Sequence, residues 1–173
     1  MSLVVEDGTG LANAESYLSV ATADAYFAAR NLTLWADSGF SDTEKEGCLR
    51  RATDYMRQAY RIRWAGRRVS TTQALDWPRY DVPRPDMGEC GGYVLHTEIP
   101  QEVIDACAEL AWRAAFGELS PDVARRAVRE KVDVIEVEYD RFAPAHTRFR
   151  AVDNMLAPYL TGSGSSAIKV LRA

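Results

Sequence analysis

The chain has 173 residues, 47% of them hydrophobic, enough to bury one ordinary core and too few for two independent ones. Lys and Arg total 21 against 25 Asp and Glu, a formal net charge of -4, so the molecule as a whole repels a phosphate backbone. The odd, widely spaced Cys48, Cys90 and Cys107 follow no secretory apolar stretch, and no apolar run nears the roughly 18 residues of a transmembrane helix; a reduced, cytosolic history and no membrane partner are expected.

In chain order, the short run Leu3 to Glu6, with the β-branched Val4 and Val5, predicts a brief strand, closed by the turn Asp7-Gly8-Thr9-Gly10. Ser19 suits the N-cap of a helix near 20 to 30, with Val20, Ala23, Phe27 and Arg30 on one face and Tyr26 beside it. Ser41-Asp42-Thr43-Glu44 has capping-box spacing and opens a helix near 41 to 60, where Cys48, Ala52, Tyr55, Met56 and Ala59 recur at helical intervals.

From Arg61 to Arg79 arginines and aromatics interleave, and Pro78 stops any helix. Residues 80 to 99 carry Pro83, Pro85, Gly88, Gly91 and Gly92, which predicts a long exposed loop, often a functional feature in a small domain. Pro100 then starts a helix near 100 to 117, the expected core helix, with Val103, Ile104, Cys107, Leu110, Ala111 and Ala114 on its apolar stripe.

Val128 to Val134 and Ile135 to Tyr139 alternate as strands do, but their phase slips by one between them, which a bulged strand or a tight hairpin would explain. Phe149, Val152, Met155, Leu156 and Leu160 mark a last helix near 149 to 160. The pattern predicts a mainly α fold: one small helical bundle over 1 to 160 with a short β element, then a flexible Gly/Ser-linked tail over 161 to 173.

No catalytic, metal or cofactor site assembles from these residues, and the chain reads as non-enzymatic. His96 and His146 are the only histidines; a Cys-His site is conceivable with His96 and either Cys90 or Cys107, but Cys107 lies on an apolar helix face, where cysteine normally behaves as a small hydrophobe. His96-Thr97-Glu98 matches half of a zinc deaminase signature whose second half is missing. Gly8-Thr9-Gly10 lacks the third glycine and the long strand of a dinucleotide fingerprint. Glu130, Glu136 and Glu138, at strand-like spacing, fit a solvent face better than an acid/base pair.

The basic stretch is the remaining constellation. Arg50, Arg51, Arg57, Arg61, Arg63, Arg67 and Arg68, with Tyr60 and Trp64 among them, could pair phosphates and stack bases, form a solvated face, or meet an acidic neighbouring subunit. The acidic total favours the interface reading. It places Arg57, Arg61, Arg63, Trp64, Arg67, Arg68 and Trp77 at a contact with another chain, together with Ile168, Val170 and Leu171 of the tail, whose alternating segment suits strand addition to a neighbour.

Several segments carry a resemblance to a known family: Glu6 to Gly10, Ala14 to Tyr17, Ala23 to Phe27, Gln73 to Arg79, Glu98 to Gln101, Arg129 to Val132, Ile135 to Tyr139 and Ala151 to Asp153. In this order and spacing the chain resembles the head-tail adaptor proteins of tailed phages and prophages, a group that also carries the label of DnaT-like single-stranded-DNA-binding proteins. The resemblance implies a virion subunit at the head-tail junction, made in the host cytoplasm. Twelve copies would ring the genome exit channel, contacting the portal protein, a tail-side connector and, without sequence preference, the passing DNA. The loop 80 to 99 and the tail would reach different partners, and no catalytic residue or cofactor is implied. The DnaT-like label implies instead a single-stranded nucleic-acid binder.

Overall fold

The computed structural model describes residues 2–37, 39–85, 92–122, 129–132, 135–138 and 148–161. The tail with Ile168, Val170 and Leu171, loop residues 86–91 with Cys90, and His146 lie outside the described residues. Among these residues the fold is mainly helical: α1 (Val20–Ala29), α2 (Leu34–Asp37), α3 (Asp42–Tyr60), α4 (Gln101–Phe116) and α5 (Arg150–Leu156), with two short antiparallel ribbons.

The helices start where the sequence places their caps. Ser19 accepts the amide of Thr22, and Ser41 and Glu44 satisfy each other's backbone donors in a complete capping box. α4 runs back along α3, as contacts at three levels show. Thr53 Oγ1 meets Cys107 Sγ at 3.4 Å mid-helix, and Phe40, ahead of α3, lies 6.2 Å from Phe116 at the end of α4. At the opposite end Tyr159 donates to Glu102 and packs on Trp77, which in turn packs on Trp64. α5 packs on α4 and reaches α3 through Phe149 against Tyr55 and the Tyr60 hydroxyl, which donates to Asp153 at 2.7 Å.

The core includes Phe27, Leu49, Met56, Val103, Cys107, Leu110, Val152 and Leu156, all buried. α2 has no counterpart in the sequence reading, because four residues are too few to show a period. Its purpose is to anchor Trp35, 1% exposed, whose indole packs on Phe27 and donates to Asp24 Oδ1 at 2.7 Å. Lys45, buried on α3, reaches the same oxygen at 2.9 Å, so a lysine sits on a mostly apolar face.

Two details differ from expectation, and of the two readings of a third, the phase slip, one is formed. The N-terminal segment forms only a parallel bridge, Val5 with Ser16, because the chain is gathered into a loop around the buried Glu6 carboxylate, which accepts the amides of Gly8, Gly10 and Leu11. A Cβ on Gly8 would collide with the Thr97 carbonyl, so the Gly-Thr-Gly turn is a packing feature. The last helix ends at Leu156, and a 3-10 turn at Ala157–Tyr159 accommodates Pro158. The phase slip near 134 is a hairpin: β3 (Arg129–Val132) and β4 (Ile135–Glu138) pair with Val132 opposite Ile135.

Phe27→Ala should lower the unfolding free energy by about 3–5 kcal/mol, since it empties the contact between α1, α2 and α4. Leu34→Ala, at a side chain 59% exposed, should stay within about 0.5 kcal/mol. Urea denaturation of both variants measures the contrast.

Candidate nucleic-acid interface

The arginine-aromatic stretch folds into a knot around one guanidinium. β1 (Arg67–Arg68) pairs with β2 (Arg79–Tyr80), Arg67 opposite Tyr80 and Arg68 opposite Arg79. Arg79, 6% exposed, donates Nε to the Ala65 carbonyl at 2.7 Å, one terminal nitrogen to that of Gly66 at 2.8 Å and the other to that of Asp76 at 3.1 Å. Arg68 donates to the Gln73 carbonyl, and the buried Gln73 amide donates to Leu75 and Pro78. The Tyr17 hydroxyl accepts the amides of Asp76 and Trp77, and burial pushes its pKa above the usual range.

The tryptophans of this stretch face inward. Trp64 is 4% and Trp77 0% exposed, and the two meet edge-to-face at 5.7 Å between Tyr60 and Tyr159. Neither presents a ring to a partner chain, as the interface reading required, and Tyr60 and Trp64 form no base-stacking groove. Interleaved aromatics here supply the core, and the arginines between them bind carbonyls and carboxylates of the same loop. Arg57 pairs with Asp54 at 3.5 Å, Arg61 with the buried Asp76 at 3.6 Å, and Arg67 with Asp81 at 2.9 Å. Arg63 lies over the Tyr60 ring at 5.6 Å.

A different set of rings reaches solvent. Asp81, at a φ of 60°, breaks the strand alternation, so Arg79 and Val82 are buried while Tyr80 is half-buried and Asp81 exposed. Beyond it, residues 92–94 return alongside: Val94 donates to the Val82 carbonyl at 2.8 Å, Arg84 to that of Gly92 at 3.1 Å, and Pro83 faces Tyr93. The predicted exposed loop is thus pinned on both arms, with Val82 and Val94 buried.

On this ledge the Tyr80 and His96 rings stack at 4.9 Å and 25°, and the Arg67 guanidinium lies 5.3 Å from the Tyr80 centroid. Tyr93 is 63% and Leu95 60% exposed. The nearby cations are matched, Arg67 by Asp81 and Arg84 by Glu98 at 2.7 Å, so the ledge offers flat faces with little surplus charge. Tyr80, Tyr93 and Leu95 sit in a segment without a period and carry no periodic sequence signal, and His96 reads there only as a base or as part of a zinc signature. The available signal was ring residues close to a basic run.

The other candidates separate. His96 stacks on Tyr80, while Cys107 lies in the core beside Thr53, where burial raises its thiol pKa and keeps it protonated. Among the described residues no group of three His, Cys, Asp or Glu could hold a metal, and no helix is long and apolar enough to cross a membrane.

Burial holds the Asp76 carboxyl above its ordinary pKa, against the opposite pull of Arg61, Arg79 and Arg68 and of the Trp64 indole. A carboxyl raised in this way binds its proton more tightly in the folded chain. The stability it contributes is therefore present at acid pH and lost as pH rises through the folded value. Relative to Asp76→Asn, the native chain should lose stability as pH climbs from about 4, near the unfolded carboxylate value, toward neutrality. Paired urea titrations across that window measure the difference.

No curated protein and no solved structure matches the chain. One family model does, over residues 1–173, and its description reads "Putative DnaT-like ssDNA binding protein". That match spans the buried knot, the ledge and the helices alike, and the chain belongs to this DnaT-like family.

Proposed function

We propose that the chain is a non-catalytic domain that binds single-stranded nucleic acid on the ledge of Tyr80, His96 and Tyr93, with Arg67 beside them. The observation that carries this reading is the Arg67–Tyr80–His96 stack, a guanidinium and two rings gathered on a rigid strand edge. Unpaired bases offer flat faces of any sequence, and each base stacked on an aromatic ring is worth about 1–3 kcal/mol. Family membership supports the same reading. The net charge of -4 and the matched arginines make stacking the main source of affinity, with phosphate attraction second.

A second reading is the head-to-tail adaptor ring implied by the sequence resemblance, in which the ligand is another protein chain. It draws on exposed apolar side chains away from the ledge residues, notably Ile62 at 93% and Phe116 at 55%. Its portal, tail-side and genome-channel contacts belong to that reading alone.

Fluorescence anisotropy with a labelled oligothymidylate separates the two. Binding should fall only shallowly with salt, and Tyr93→Ala or His96→Ala should each weaken it roughly 5- to 150-fold, the equivalent of one lost stack. Arg63→Ala should change it little. Absence of single-strand binding, together with a mass increase on adding a purified portal protein, would replace this reading with the adaptor one.

A further inference from the structure

Beside the ledge, the described residues leave a cavity of about 310 Å³ between the loop arm carrying Pro85 and Val94 and the start of α4. Arg84, Glu98, Glu102 and Tyr159 belong to its lining. Glu98 stands two residues beyond His96, so their backbones lie within about 7 Å of each other, and one bound strand can engage both ledge and cavity.

Ion pairs at a protein surface are ordinary and weak. The Arg84–Glu98 pair differs in facing a cavity and in being held at both backbones. The Arg84 amide donates to the Gly92 carbonyl at 3.1 Å and the Glu98 amide to that of Leu95 at 2.9 Å, while the side chains meet at 2.7 Å. Opposite them the buried Tyr159 donates its hydroxyl to Glu102 at 2.8 Å. Burial, the bond to Glu102 and the charges of Glu102 and Glu98 push the Tyr159 hydroxyl above its usual pKa range, with Arg84 pulling the other way. All four groups therefore act on one small space.

Two carboxylates against one guanidinium make this space a poor seat for phosphate and a good one for N–H donors. Thymine offers a single N–H between two carbonyls, and the pairing edge of adenine sets an acceptor nitrogen beside its amino group. Guanine alone among the DNA bases presents two donors side by side, N1–H and the 2-amino group, with the O6 acceptor next to them. A carboxylate accepts such a donor pair through both oxygens, and a guanidinium beside it supplies a donor for O6. We propose that the cavity takes a guanine of the bound strand, Glu98 accepting from N1–H and the 2-amino group and Arg84 donating to O6. The proposal rests on the single-strand reading, and gives a stacking surface that tolerates any sequence a preference for one base.

Fluorescence anisotropy of the full chain with labelled oligothymidylate, and with the same strand carrying one central guanine, adenine or hypoxanthine, tests it. The guanine strand should bind roughly 5- to 150-fold more tightly than the adenine strand, the discrimination of one bidentate pair. Both are purines of the same ring size, so stacking alone predicts no such gap. Hypoxanthine differs from guanine only in lacking the 2-amino group, and should forfeit most of the gain. Glu98→Gln should erase the preference of guanine over adenine; the ratio is the readout, because a freed Arg84 changes phosphate attraction for every strand alike. The hypoxanthine comparison uses the native chain and holds whether or not the variant folds. Equal binding of guanine and adenine strands, no loss with hypoxanthine, or a preference that survives Glu98→Gln would overturn the proposal while leaving the stacking reading in place. Absence of binding by every strand would overturn both.

Discussion

The buried Arg79 side chain donates to the main-chain carbonyls of Ala65, Gly66 and Asp76, and through them joins the segment after α3 to the segment before the ledge. A guanidinium removed from water is tolerated only where its donors are matched, and this one has main-chain acceptors on each nitrogen and the Asp76 carboxylate nearby. Burial nevertheless lowers its pKa from the ordinary arginine value. Gly66 completes the arrangement: at a φ of 64° it brings the backbone so close to Tyr80 that a Cβ would collide with its carbonyl. Tyr80 is only half-buried while its neighbour Arg79 is held inside.

The same knot ties the ledge to the helices. Trp77, fully buried, meets Trp64 and Tyr159, and Tyr159 reaches Glu102 at the start of α4. The Tyr17 hydroxyl holds the backbone of Asp76 and Trp77 from the N-terminal side. A flat ligand seated on Tyr80 and His96 would therefore rest on a strand edge joined to the core by the buried Arg79 side chain and by the short segment that carries Trp77. Rigid support of this kind limits the ordering entropy that binding must overcome.

The helices were legible because periodicity and capping are local. Ser41 to Glu44 announced α3, and the apolar stripe from Val103 to Ala114 announced α4, to within a residue or so. The site was less legible, for a physical reason. Alternating arginine and tryptophan looks the same in a surface that stacks on a ligand and in a loop whose rings enter the core while its guanidiniums bind carbonyls. Which one forms depends on long-range partners such as Tyr17, Tyr159 and Ala65, which no local spacing encodes. Trp64 and Trp77 were thus assigned to a surface they do not reach. Tyr80 and His96, sixteen positions apart in a segment broken by prolines and glycines, gave no hint that they would stack.

Arg79 supports the ledge, and Arg79→Lys isolates that role: it keeps the positive charge but cannot reach three carbonyls in the same fork geometry. Helical circular dichroism, the thermal midpoint and oligonucleotide anisotropy should be measured on this one variant. The expected result is a retained helical signal, a lower midpoint and loss of most of the single-strand binding. Unchanged binding and an unchanged midpoint would contradict the account, by showing that the ledge holds its shape without the buried guanidinium.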